Sequence, residues 1–265
     1  MNAQLHIPVN SQLKEYITSI WEVYGSRNVT ETILPKGIFE MVFNLADDMN
    51  GVLPYSSKAV QTPQCFIQGI NTHVINANYT GQQHLFGIRL QPHMVKSLLG
   101  IMPSELSNII VDLTLIKPEF KIIWHQLMEV DSFEERVKII ETVFPILSQP
   151  NCVRTQKLSN LFMSDSIQNF QSLDNLSEQV YYSSRHLNRK SQSIFGLSAE
   201  ELIIYKKFLH SVNLMHREKT TLTDIAYRSG FYDQSHFCRV FKSYTGITAK
   251  EYQKNKGELP FHLFS

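Results

Sequence analysis

GFYDQSHFCRVFKSYTG, Gly230–Gly246, sets apolar and hydrogen-bonding residues alternately along one short segment bounded by glycines. At 3.6 residues per turn, Phe237, Val240, Phe241 and Tyr244 fall at i, i+3, i+4 and i+7, the buried stripe of an amphipathic helix. Gln234, Ser235, Cys238, Arg239 and Lys242 fall opposite. Asp233 stands where a carboxylate caps free N–H groups, and Gly230 supplies a tight turn. Upstream, Leu222, Ile225 and Ala226 repeat at helical spacing behind Thr221 and Thr223, either of which can cap a helix. A short helix, a turn with Gly and a second helix with a polar outer face form the helix-turn-helix pattern. Its second helix fits the major groove, where Arg can bind guanine and Gln adenine. A plain helical hairpin with a solvated face gives the same pattern in a single copy.

There are two copies. Fifty positions apart, Ser183 matches Asp233, Leu187 matches Phe237, Arg189 matches Arg239, Gly196 matches Gly246 and Ala199 matches Ala249. Upstream the offset is forty-nine, pairing Leu173 with Leu222 and Leu176 with Ile225, so the second copy carries one extra residue in its turn. The first copy directs Ser184, Arg185, Asn188, Arg189 and Gln192 outward, over a buried side made of Leu187 and Ile194, with Ser191 where the second has Phe241. Between the copies, EELIIYKKFLHSVNLMHR carries Leu202, Tyr205, Leu209 and Val212 on one side. A helix of that length spans roughly 27 Å, enough to set two reading helices about one DNA turn, ~34 Å, apart.

Charge agrees with this reading. From Cys152 onward there are fifteen Lys and Arg against ten Asp and Glu, leaving ten basic and fourteen acidic residues before it. The net +1 therefore hides a basic C-terminal half, suited to a polyanion. A hydrophobic fraction of 43% supports a buried core. No apolar run is long enough to span a membrane and no secretory leader is evident, which places the protein in the cytoplasm. Cys65, Cys152 and Cys238 are too scattered for a disulfide framework or a clustered zinc site.

A boundary is expected near Ser148–Thr155, dividing a domain over 1–150 from one over 151–265, whose helix-turn-helix units cover about 173–197 and 222–247 around a helix at about 199–217. Before the boundary, IFEMVFNLADD alternates, with Phe39, Met41, Phe43 and Leu45 on one side as in a half-buried strand. Short strands follow, then helices: PHMVKSLLG ends at Gly100, and SFEERVKIIETVFPIL opens with Ser132 and an acidic first turn. The N-terminal half is α+β; beyond Thr155 the sequence predicts helices only. Phe39, Met41 and Phe43, with Trp21 and Tyr79, are expected either to line an apolar pocket or to form the core.

These residues carry a family resemblance. TLTDIAYRSGFYDQSHFCRVFKSYTGITAKEY resembles the second helix-turn-helix of the AraC/XylS family of bacterial transcription regulators, and SLDNLSEQVYYSSRHLNRKSQSIFGLS resembles the first. The resemblance covers roughly Leu158 to Asn255. It implies that Arg185, Asn188 and Arg189, beside Ser184, face bases in one groove and Gln234, Ser235 and Arg239 in the next, with Lys242 nearer phosphate. Ala199 and Ala249 stand where the family commonly has Pro, and Ser191 where it commonly has Phe. LPKGIFEMVFNLADD, FIQG and LFGIRLQPHMVKSLLG resemble the sensor-like domain of such regulators, which implies a cupin-type β barrel that binds an effector or dimerises. The resemblance implies promoter DNA as partner, with RNA polymerase, a small-molecule effector and a second copy as further candidates. It names no effector residue, no cofactor and no membrane.

Two other classes compete. A cupin-type metal enzyme could use His73, His84, His93 and Glu40, but their spacing matches no ligand template, and no hydrolase elbow or phosphate loop is present. The expectation is a protein without catalytic or metal residues. An effector-independent protein-interaction module would use the basic helices on an acidic partner.

Overall fold

The structure, a computed structural model, describes residues 2–9, 11–26, 28–46, 50–52, 59–147, 153–164 and 166–264. The expected boundary at 150 and Cys152 lie outside the described residues. Alternating segments become β1 (Asn2–His6), β2 (Ile17–Ser26), β3 (Val29–Ile33), β4 (Phe39–Asn44), β5 (Asn50–Val52), β6 (Ala59–Gln61), β7 (Cys65–Gln68), β8 (Ile75–Tyr79) and β9 (Gln82–Leu90), with a helical turn α1 (Ser11–Lys14) after β1. Then come α2 (Val95–Leu99), β10 (Ile110–Asp112), α3 (Leu113–Ile116), α4 (Glu119–Met128) and α5 (Phe133–Leu147). The C-terminal part runs α6 (Val153–Met163), α7 (Leu173–Val180), α8 (Ser184–Phe195), α9 (Ala199–Arg217), α10 (Leu222–Arg228), α11 (Gln234–Thr245), α12 (Ala249–Asn255) and β11 (His262–Phe264).

The strands form two antiparallel sheets, ordered β1-β2-β9-β4-β7-β10 and β11-β3-β8-β5-β6. This is the expected α+β unit with a cupin-like pair of sheets, followed by the helical reading part. The helical part is not wholly α, however: β11 crosses back and becomes the edge strand of the second sheet. Its three residues are too short and too mixed in character to show a strand period.

β4 is buried along its whole length, not on one side as its alternation suggests. Its period of two is real, but both faces are covered. Phe39, Met41 and Phe43 turn toward the helices, where Phe43 lies 6.5 Å from Phe86 and Phe86 6.1 Å from Phe133 of α5. Val42 turns the other way, into a smaller cluster with Phe66 and Leu85, flanked by Trp21 and by Tyr79 of the second sheet. The five side chains proposed for one pocket therefore sit on opposite faces of a sheet, and Phe39, Met41 and Phe43 are core.

Between the sheets lies a buried carboxylate. Glu40 accepts from Trp21 Nε1 at 2.8 Å, Arg89 Nε at 3.0 Å and Gln68 Nε2 at 3.2 Å, with Lys36 Nζ at 3.7 Å. Burial by itself would raise its pKa; the charges of Lys36 and Arg89, with hydrogen bonds from Arg89 and Trp21, outweigh burial and hold it at about 2. On the helix side a second buried pair joins Glu22 to Arg136 of α5 at 2.9 Å.

The two parts share one continuous core, and α9 is its axis. The hydroxyl of Tyr205 accepts from Gly37 N at 3.0 Å and donates to Asn71 O at 2.7 Å, so one side chain satisfies two backbone groups of the β unit. Gly37 has φ +69, where other residues are strained, and a Cβ there would stand 2.5 Å from the end of the Leu209 side chain, so glycine favours the close approach of α9. Lys206 is also buried; it donates from Nζ to Phe162 O at 2.6 Å and to Ser164 O, satisfying carbonyls at the end of α6.

Two outcomes follow from these contacts. Tyr205→Phe leaves a buried N–H and a buried C=O unpaired and should cost about 1 to 3 kcal/mol, read as a lower urea midpoint. Glu40 has a depressed pKa, so its stabilisation is complete above about 4.5 and is lost as pH falls toward about 2. Glu40→Gln should cost roughly 3 kcal/mol at pH 7 and roughly nothing at pH 2, so a denaturation series across pH should show a flattened acid limb.

Candidate nucleic-acid interface

Each helix of the repeat begins on a side chain that the sequence supplies for it. Ser172 accepts from Asn175 N at the start of α7, and Ser183 from His186 N at the start of α8. Thr221, rather than Thr223, caps α10 by accepting from Asp224 N, and Asp233 caps α11 by accepting from His236 N at 2.7 Å. The turns also correspond. Tyr181, with φ 56, occupies the left-handed position that Gly230 fills in the second unit with φ 79. Tyr182 and Phe231 follow as buried anchors, the first stacked on His186 at 4.4 Å and the second edge-on to His236 at 5.5 Å. The residue without a counterpart is Tyr232, 88% exposed at the head of α11.

Behind their exposed faces the two units are filled differently. On α11, Phe237 and Phe241 are wholly buried; Phe237 packs on Phe231 and Phe241, and Phe241 meets Phe208 of α9 and Tyr252 of α12. Val240 and Tyr244 are half-buried, and so is Cys238, which packs at the edge of the core instead of joining the outer face. On α8, Leu187, Ser191, Ile194 and Phe195 are buried. Among the described residues the Ser191 hydroxyl has no partner, and the aromatic packing comes instead from Phe195 at the end of α8, 4.8 Å from Phe162 of α6. The helix stays continuous over Ser184–Phe195.

Ser184, Arg185, Asn188 and Arg189 on α8, and Gln234, Ser235, Arg239 and Lys242 on α11, are all exposed. Two of the eight are tethered. Gln234 Oε1 accepts from Thr223 Oγ1 at 2.6 Å, which fixes it against α10. Asn188 Oδ1 accepts from Ala199 N at 3.0 Å and so helps to cap α9, beside the Ser198–Glu201 capping box. A proline at position 199 would have no N–H to give; the alanine there makes Asn188 a positioning residue. Spacing alone placed Asn188 outward correctly, but the partner lies eleven residues on, across a turn that periodicity does not describe.

The histidines and Glu40 weighed as metal ligands go to separate places. His84 Nε2 lies 2.9 Å from Glu22, His73 is beside Thr72, and Glu40 is between the sheets. His93 is buried at the start of the helical segment, where desolvation pushes its pKa down to about 4. Among the described residues no three His, Cys, Asp or Glu side chains are grouped to hold a metal. None of the described helices is long and apolar enough to cross a membrane.

Two capped helix-turn-helix units in tandem on one long helix, each with an exposed polar face, define a double helix-turn-helix domain behind an α+β unit. Residues 176–255 match the helix-turn-helix domain family, and residues 5–112 match a domain of unknown function, DUF6597. The chain thus carries an AraC-type helix-turn-helix domain. It is 32% identical over 85 residues to an uncharacterised HTH-type transcriptional regulator of Staphylococcus aureus (strain MSSA476), covering 32% of this chain and 11% of that protein. It is 32% identical over 69 residues to the HTH-type transcriptional activator RhaS of Escherichia coli (strain SE11), covering 26% of this chain and 25% of RhaS. The matched stretch therefore spans a quarter or less of these curated relatives. Among solved structures, ToxT of Vibrio cholerae O395 is similar with a TM-score of 0.48 at 14% identity, over 91% of this chain and 98% of ToxT. Another ToxT structure, from strain SCE256, is described as bound to unsaturated fatty acid.

Asn188→Ala should lower thermal stability by about 1 kcal/mol through loss of a helix cap, while Ala199→Pro should release Asn188 at little cost because proline is tolerated at the first helical position. Melting curves of the two variants check this; equal losses would contradict it.

Proposed function

We propose that the protein is a sequence-specific DNA-binding transcription regulator of the AraC type, in which α8 and α11 read successive major grooves from one face of a duplex. The observation that carries this is the repetition of cap, turn, buried anchor and exposed reading face in both units, on the basic half of the chain. In this reading Arg185, Arg189 and Arg239 reach guanine edges, Gln234 and Ser235 contact neighbouring bases, Ser184 and Lys242 meet the backbone, and Asn188 holds α9 in place. The protein acts in the cytoplasm on promoter DNA, without catalysis. Residues 1–150 form the regulatory part and 151–265 the reading part. Phe39, Met41 and Phe43 are packed in the core, so this reading assigns no effector site to them. RNA polymerase and a second copy of the chain are the protein partners this reading favours.

Selection of bound fragments from genomic DNA is the direct test, and a common motif is expected at moderate salt. On that site Arg239→Ala should cost roughly 1 to 3 kcal/mol and relax preference at one or two base pairs, whereas Lys242→Ala should weaken all sequences alike and reduce the salt slope by about one ion. Titrations of cognate and scrambled duplexes across a salt series separate the two; an Arg239→Ala protein with full affinity and discrimination would show that α11 does not read bases.

A further inference from the structure

The C-terminal strand is placed to do more than close a sheet. β11 pairs antiparallel with β3, setting His262 opposite Ile33, Leu263 opposite Thr32 and Phe264 opposite Glu31. Leu34 N donates to Phe261 O at 2.8 Å, just before the ladder. His262 Nδ1 is paired with the carboxylate of Glu31, which is 7% exposed, and the His262 and Phe264 rings stack at 6.2 Å. Burial alone would raise the Glu31 pKa; His262, Tyr79 and Lys36 together hold it below its ordinary value. A side chain 231 residues away in the sequence thus supplies part of what offsets the burial of Glu31.

The same segment is tied to the second reading unit. Phe261 takes the left-handed conformation, φ 68, and its N–H donates to the Tyr252 hydroxyl at 3.3 Å. That hydroxyl is also bonded to His216 Nε2 of α9 at 2.7 Å, and the Tyr252 ring lies 5.5 Å from Phe241 of α11. An unbroken set of contacts therefore runs from β3 through β11, Phe261 and Tyr252 to α11. The first unit is held differently, by α8 lying along the N-terminal part, with Gly196 against the backbone of Ser104.

We propose that β11 is a displaceable latch: docked on β3 it gives the second helix-turn-helix unit a second attachment to the α+β unit, beside the packing of α11 on α9, and undocked it leaves that unit held through α9 alone and freer to tilt. Three features support displacement. The ladder is three residues long, it lies on a sheet edge that another strand could take, and a single histidine side chain ties it to Glu31 of β3. The reading residues of both helices are exposed while the latch is docked, so docking does not cover the DNA face. It instead aligns two readers before they meet DNA and lowers the ordering cost of engaging both. Anything that competes for the β3 edge or for Glu31 is thereby reported at Gln234, Ser235 and Arg239; this last step rests on the DNA-reading function proposed above.

The test uses the full chain with its three cysteines replaced by alanine and spin labels at Gln82→Cys and Lys254→Cys. Distance distributions are compared for the parent, for His262→Ala/Phe264→Ala, and for a chain ended at Phe261. A narrow distribution in the parent that broadens in both variants, with faster amide exchange in Val29–Ile33, is expected. The variants should also lose about 5- to 20-fold in affinity for a selected duplex carrying both half-sites, with little change on a duplex whose second half-site is scrambled. An unchanged distance distribution overturns the latch, and so does a broadened one in which affinities for the two duplexes keep their parental ratio. If the parent prefers no duplex over any other, the DNA-reading function fails, while the distance measurement still decides whether β11 holds the two units together.

Discussion

The structure depends on one hydroxyl. Tyr205 is wholly buried on α9, and its oxygen sits between the N–H of Gly37 and the carbonyl of Asn71. Those two backbone groups belong to loops of the β unit that no strand partner reaches, and buried backbone groups must be paired. The tyrosine therefore sets where α9 can lie, and α9 sets where both helix-turn-helix units hang. Desolvation raises the Tyr205 pKa well above the usual value for a phenol, so this bridge stays protonated across the physiological range.

Around that anchor the interior is polar in a controlled way. Glu40, Glu22 and Lys206 are buried, and each is matched by partners that repay its lost hydration. Such groups add little net stability compared with apolar replacements, but removing one partner leaves an uncompensated charge. They favour one arrangement of sheets and helices over slightly shifted ones, which suits the proposed function, in which the relative placement of two reading helices is what matters.

Much of this was legible in the sequence, and the reason is local. Caps, a turn glycine and a stripe at helical spacing are all written within a dozen residues, so the tandem units and the exposure of Arg185, Arg189, Arg239 and Lys242 could be read directly. What could not be read was long-range. Lys206 lies on a stripe that spacing marks as core-facing, yet only the carbonyls of α6 explain its burial. The strand at His262–Phe264 forms because β3, some 230 residues away, presents an open edge. Phe39, Met41 and Phe43 were placed on the right side of their strand, but whether that side encloses space or is filled depends on α4 and α5, which alternation in β4 cannot report.

The extra residue Tyr232 breaks the equivalence of the two units at the turn that leads into the exposed face of α11. The first turn bears an exposed tyrosine in the left-handed position, the second a glycine there with the tyrosine two residues later. Two tandem units that differ in this way have no two-fold axis. Under the proposed function, a DNA site that fits them would fit in one orientation only, and a single chain would give the DNA a direction.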